Sequence, residues 1–169
     1  MTENLNIDIT STDNKKYKVL LSQIDRLISS NDPIISNLSN LTAVLKETFP
    51  KISWVGFYLL KNGFLYLGPF QGKIACSIIN IGIGVCGNSA LKKETIIVEN
   101  VHEFPGHIAC DSGSNSEIVV PIINDDNLFG VLDLDSYEFS AFNETDKNYL
   151  EKLCKILASK LDLSKFTLS

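Results

Sequence analysis

The sequence predicts an α+β domain: a central antiparallel sheet with helices packed on one face, two from the N-terminal third and one from the C-terminus. Three observations carry this prediction. Apolar residues recur at helical spacing before Pro50 and again after Asn143. Between them lie short runs rich in β-branched and aromatic residues, and turn residues of hairpin type join several of those runs.

The elements follow in order. Tyr17, Leu20, Leu21, Ile24, Leu27 and Ile28 place a helix over 13–29. Asn31-Asp32-Pro33 ends it and opens a second, with Asp32 as N-cap and Pro33 in the first helical position. Ile34, Leu38, Leu41, Leu45 and Phe49 line one face of that helix, and Pro50 closes it. Residues 52–60 read as a strand, Asn62-Gly63 as a tight turn and 64–70 as the returning strand. A further strand is expected over 73–79, a short helix over 88–93 and a short strand over 95–98. The stretch 100–115 lacks periodicity, and a loop of that length in a small domain points to function. Two more strands, 116–123 and 128–136, flank the turn 124–127. The closing helix, capped near Asn143, carries Leu150, Leu153, Cys154, Leu157 and Leu161 on one side.

Composition narrows the function. With 169 residues and 44% of them hydrophobic, the chain can close one core without a staple. It reads as a tail over 1–12 and a single domain over 13–169. A net charge of −5 argues against nucleic acid and against anionic membrane surfaces. No apolar run approaches the roughly 18 residues that cross a bilayer. The N-terminus lacks a basic start and an apolar core, so the expected address is cytoplasmic. Thiols stay reduced there, and four cysteines read as reactive or buried groups before they read as structural bridges.

The cysteines differ in setting. Cys154 belongs to the apolar stripe of the last helix and reads as core. Cys86 lies in Gly84-Val85-Cys86-Gly87, where glycine allows a tight turn, and Cys110 ends the long loop. Together with Cys76 these thiols point to redox chemistry. A metal is the competing use, with His102, His107 and Cys110 close in sequence and Cys76 or Cys86 to complete a set. None of the spacings matches the short paired ligands of zinc sites, so no metal is expected.

The acids complete the pattern. In Val131-Leu132-Asp133-Leu134-Asp135, strand alternation puts Asp133 and Asp135 on one face. Glu117 opens the preceding strand and approaches them if the two strands pair. Clustered carboxylates repel, so at least one is expected to keep its proton near neutral pH. Such a group serves as a general acid, or the cluster receives an ammonium. Trp54 and Tyr58 share a face of the first strand with Gly56 between them, an arrangement that suits a pocket wall and core packing alike.

Taken together, Trp54-Val55-Gly56-Phe57-Tyr58, Leu67-Gly68-Pro69-Phe70-Gln71-Gly72, Gly84-Val85-Cys86-Gly87, Phe104-Pro105-Gly106-His107-Ile108-Ala109-Cys110-Asp111-Ser112, Ser116-Glu117-Ile118-Val119 and Gly130-Val131-Leu132-Asp133-Leu134-Asp135-Ser136 resemble the free methionine-(R)-sulfoxide reductases built on a GAF domain. The resemblance runs from about residue 13 to the last helix. It implies a GAF fold, reduction of free methionine sulfoxide to methionine, no bound cofactor, thioredoxin as external reductant, and a homodimer. It matches Cys110 to the nucleophile that becomes a sulfenic acid, Cys76 to the main resolving thiol and Cys86 to a third. Glu117, Asp133 and Asp135 match the family's pocket acids, and Trp54 and Tyr58 its aromatic wall; as sulfoxide chemistry needs a proton on oxygen, Glu117 with Asp135 is expected to deliver it and Asp133 to take the substrate ammonium. Ser77-Ile78 and Ile83 stand where many relatives carry basic residues. A GAF module that senses a small ligand without catalysis is the alternative.

Overall fold

The computed structural model describes residues 7–107 and 111–163. Six strands form one antiparallel sheet: β1 (Trp54–Lys61), β2 (Phe64–Gln71), β3 (Ile78–Asn80), β4 (Ile96–Val98), β5 (Ser116–Asn124) and β6 (Asn127–Ser136), in the order β3-β2-β1-β6-β5-β4. The helices are α1 (Asp13–Ser22), α2 (Ile24–Leu27), α3 (Ile34–Thr48), α4 (Gly84–Lys92) and α5 (Glu144–Lys160). A short 3-10 turn, Val101–Glu103, interrupts the long loop.

Strand alternation divides the sheet into two apolar faces. On one, Val55, Phe57, Leu59, Ile118, Val120, Leu132 and Leu134 are buried with Tyr17 and Leu20 of α1, Leu38, Leu41 and Leu45 of α3, and Leu150, Leu153 and Leu157 of α5. Cys154 lies in this layer as a buried free thiol, as its place in the apolar stripe predicts. On the other face, Tyr58, Val119, Val131 and Trp54 pack with Val85, Cys86 and Ala90 of α4. The expected N- and C-terminal helices therefore share one face, and α4 covers the other.

The closing helix has a full capping box. Asn143 Oδ1 accepts from the Thr145 N–H at 2.8 Å, and Asp146 Oδ2 accepts from the Asn143 N–H at 2.9 Å. Asp146 also ties this end to α1, accepting the Tyr17 hydroxyl at 2.9 Å and pairing with Lys51 at 2.8 Å.

Four expectations need correction. The first helix is broken at Gln23, whose backbone leaves the helical range (φ −110°, ψ 7°), and its second piece ends where Ile28 turns extended and enters the core. The second begins one residue later than expected, at Ile34. Pro33 is its N-cap, and Asp32 gives no side-chain cap. Asn37 does the tying instead: its amide donates to the carbonyls of Ser29, Asp32 and Pro33 and accepts from the Ser29 N–H. The strand expected over 73–79 shrinks to β3. Tyr58 Oη donates to the Cys76 carbonyl and Trp54 Nε1 to the Lys73 carbonyl, both at 3.0 Å, so side chains of β1 hold carbonyls that a ladder would have used. Finally, α4 starts at Gly84 rather than at 88, so Cys86 sits in the first turn of a helix and not on a loop.

Candidate active site

Register assembles the site. Glu117 of β5 lies opposite Asp135 of β6, and Asp135 lies opposite Trp54 of β1. Two residues further along, Val119, Asp133 and Gly56 form the next row across the same strands, and Pro121, Val131 and Tyr58 the one after. Two steps of alternation thus present three acids and two aromatics on the α4 side of the sheet.

Trp54 lies flat across Gly56. A Cβ at position 56 would run into the indole ring and the Phe70 side chain, so glycine is what lets the tryptophan fold down. Its ring stacks on Phe70 at 5.5 Å and faces Tyr58 at 6.1 Å. α4 comes equally close on the opposite side, since a Cβ on Gly87 would collide with the Asn80 carbonyl oxygen. Between these walls opens a pocket enclosing about 540 Å³ of space, open solvent included. Trp54, Tyr58, Cys86, Glu117, Asp133 and Asp135 all line it.

Burial shifts the acids toward their neutral forms. Glu117 and Asp133 are 5% and 6% exposed, and Asp135 is partly buried. Burial, then the charges of Asp133 and Asp135, push the Glu117 carboxyl well above the usual range. Burial and Asp133 do the same to Asp135, opposed by a hydrogen bond from Ser114. Burial raises Asp133 to about 7, held back by hydrogen bonds from Cys86 and Glu117. Asp133 lines the pocket, and its buried Oδ1 has no hydrogen-bond partner among the described residues. Cys86 Sγ lies 4.0 Å from Glu117 Oε1, and burial followed by the same two acids raises this thiol strongly, so it rests protonated.

Of the expected residues, six therefore meet in one pocket. Cys76 is half-buried beside it, next to the pocket-lining Ala75, and is disulfide-bonded, whereas Cys86 is a free thiol. Cys110 lies outside the described residues, but His107 and Asp111 on either side of its segment both line the pocket. Of the metal set weighed from sequence, His102 Nε2 lies 3.0 Å from Asn115 Oδ1 with its ring edge-on to Phe139, and Cys110 lies outside the described residues. Among the described residues Cys86, Glu117 and Asp133 place donor atoms within 4.8 Å of one another, close enough to share an ion. Burial raises the proton affinity of all three, so an ion would compete with protons there.

Residues 33–161 match the GAF domain family. The chain is 43% identical over 154 residues to a protein of Escherichia coli named free methionine-R-sulfoxide reductase, a match covering 89% of this chain and 93% of that one. It is 47% identical over 131 residues to the Saccharomyces cerevisiae protein of the same name, covering 73% of each. A solved structure described as free methionine-R-sulfoxide reductase from Neisseria meningitidis in complex with its substrate superposes with a TM-score of 0.90. That structure is 43% identical and covers 96% of this chain and 97% of its own.

The chain belongs to the GAF-type free methionine-(R)-sulfoxide reductase family.

In this member of the family, two pocket residues escaped the sequence reading in their structural roles. Ser114 is 4% exposed and hydrogen-bonds Asp135, yet it sits in an aperiodic loop where no pattern marks it. His107 Nδ1 lies 3.9 Å from Glu117 Oε2, and burial, with His102 nearby, lowers its pKa and favours a neutral ring. The quoted motif contained it, but spacing offered it only as a metal ligand. No helix among the described residues is long and apolar enough to cross a membrane.

Proposed function

We propose that the chain reduces free methionine-(R)-sulfoxide to methionine in this pocket, without a bound cofactor. The observation that carries the reading is the set of three inward acids, their hold on protons strengthened by burial, against the Trp54 wall. A sulfoxide sulfur becomes a good electrophile only when its oxygen is protonated or strongly hydrogen-bonded. Buried carboxylic acids that keep their protons at neutral pH supply that need. The names of the bacterial and yeast relatives, and a similar structure that holds substrate, support the choice of substrate.

Each residue then has a role. Glu117, with Asp135, delivers the proton to the sulfoxide oxygen. Asp133 takes the substrate ammonium on its unpartnered oxygen. Trp54 and Tyr58 enclose the S-methyl end. The first-turn N–H groups of Gly84, Val85 and Cys86, at the positive end of α4, receive the carboxylate.

Cys110 attacks the sulfur and takes its oxygen, so that methionine leaves and the thiol becomes a sulfenic acid. Condensation with the Cys76 thiol, or with Cys86 as second resolving group, expels water and forms a disulfide. Thioredoxin donates two electrons and two protons to restore both thiols. The disulfide-bonded state of Cys76 and its place beside the pocket support this order. We also infer one domain over 13–169, a homodimer and a cytoplasmic setting, which light scattering and fractionation test.

A thioredoxin-coupled NADPH assay with the separate free epimers is the direct test. Oxidation of NADPH is expected with the R epimer and not with the S epimer. Turnover of neither would return the chain to the ligand-sensing alternative.

A further inference from the structure

We propose that Lys73, Asp111 and Tyr137 form an electrostatic clasp that holds the segment carrying Cys76 against the loop carrying Cys110 and so speeds disulfide closure, leaving sulfoxide reduction unaffected. The proposal rests on the disulfide step above and deepens it. Lys73 lies three residues before Cys76, and Asp111 directly follows Cys110.

The contacts converge on one carboxylate. Lys73 Nζ lies 3.2 Å from both oxygens of Asp111. The Tyr137 hydroxyl donates to Asp111 Oδ2 at 2.9 Å, and the Gly113 N–H donates to Oδ1 at 2.9 Å. The lysine ammonium also sits 5.1 Å from the centre of the Tyr137 ring. Tyr137 follows directly on β6, and its carbonyl accepts from Asn115 Nδ2 at 2.7 Å, so the clasp is anchored to the sheet. A lone exposed lysine–aspartate pair contributes little, but here the aspartate side chain is 13% exposed and two other groups fix its orientation.

The segment around Cys76 needs such a tether. Between Gln71 and Ile78 it leaves the ladder except at Ser77, whose carbonyl accepts from the Leu67 N–H at 3.0 Å, while Trp54 and Tyr58 side chains bond the Lys73 and Cys76 carbonyls. Those bonds fix its inner edge to β1. The clasp is the charged link from this segment to the long loop. After methionine has left, the sulfenic acid of Cys110 and the thiol of Cys76 must meet to expel water. A tether on the solvent side raises their effective concentration. It touches neither the three acids nor the aromatic wall through the Lys73 or Tyr137 side chains.

Fully reduced protein mixed with one equivalent of free methionine-(R)-sulfoxide separates the steps, reading released methionine and remaining thiols by rapid quench. Lys73→Met is expected to release methionine at the wild-type rate and to close the disulfide about two- to fivefold more slowly, the range an exposed ion pair supplies. Lys73→Arg should restore closure, and Tyr137→Phe should lose part of it. In 1 M salt the gap between wild type and Lys73→Met should vanish, as a structural defect would not. Equal slowing of methionine release, unchanged closure, or a gap that persists in salt would overturn the clasp. A second measurement needs no sulfoxide: in a glutathione redox buffer, Lys73→Met should favour the reduced dithiol two- to fivefold over wild type. Absence of methionine from wild type would instead defeat the proposed reaction, and the glutathione equilibrium would still decide the clasp.

Discussion

Glu117 and Asp133 sit in the same pocket and are both buried, but their surroundings assign them different work. Glu117 is raised by burial and by two neighbouring acids, so it holds a proton to give. Asp133 is raised only to about 7 and keeps an unsatisfied oxygen, so a substrate ammonium gains most there. Glu117→Gln keeps the shape and removes the transferable proton. Steady-state kinetics should show kcat down by about 100- to 1,000-fold with KM changed little. Asp133→Asn removes the charge partner, and KM should rise by about tenfold or more. If the two variants exchanged these signatures, the assignment of roles would be reversed. Alternation in β6 made the shared face of Asp133 and Asp135 legible in the sequence. Ser114 and His107 reach the pocket from a loop with no period, and only tertiary packing shows it.

At the level of elements, the sequence was most readable where local chemistry alone dictates the structure. Asn62-Gly63 turns β1 into β2 with both residues at positive φ, and Asn143 caps α5 as expected. It was least readable where one element fixes another from a distance. The segment 72–77 has strand-like residues but gives its carbonyls to Trp54 and Tyr58. The sequence places the start of α4 four residues too late because its glycines resemble a turn. Gly87 is there because the helix presses on the Asn80 carbonyl, a contact invisible before the fold is known. Gly87→Ala should therefore force α4 away from β3 and cost about 1–3 kcal/mol, seen as a lower denaturation midpoint. An unchanged midpoint would mean that the close approach carries no strain.

For the whole molecule, the sheet separates stability from chemistry. The face covered by α1, α3 and α5 is apolar throughout, while the face under α4 trades part of its core for three acids. That trade has a pH signature. Each acid holds its proton to higher pH in the folded chain than in the unfolded one. Its contribution to stability is full below the unfolded value, about 4, and is lost as pH rises through the folded value, about 7 for Asp133. Urea unfolding of the substrate-free protein should thus show a midpoint that falls between pH 5 and pH 8, with a shallower fall in Asp133→Asn. A midpoint rising over that range would contradict the neutral acids.

The rows that bring Glu117, Asp135 and Trp54 side by side have a consequence for how this chain can change over time. Side chains on a strand alternate faces, so one residue inserted inside β6 beyond Gly130 would send both aspartates into the apolar layer and bring leucines into the pocket. Two inserted residues would restore the face while shifting the rows. Length variation is therefore tolerated at the 124–127 turn and forbidden in the strand beside it, and the sulfoxide site is inherited as a count of residues as much as a choice of them.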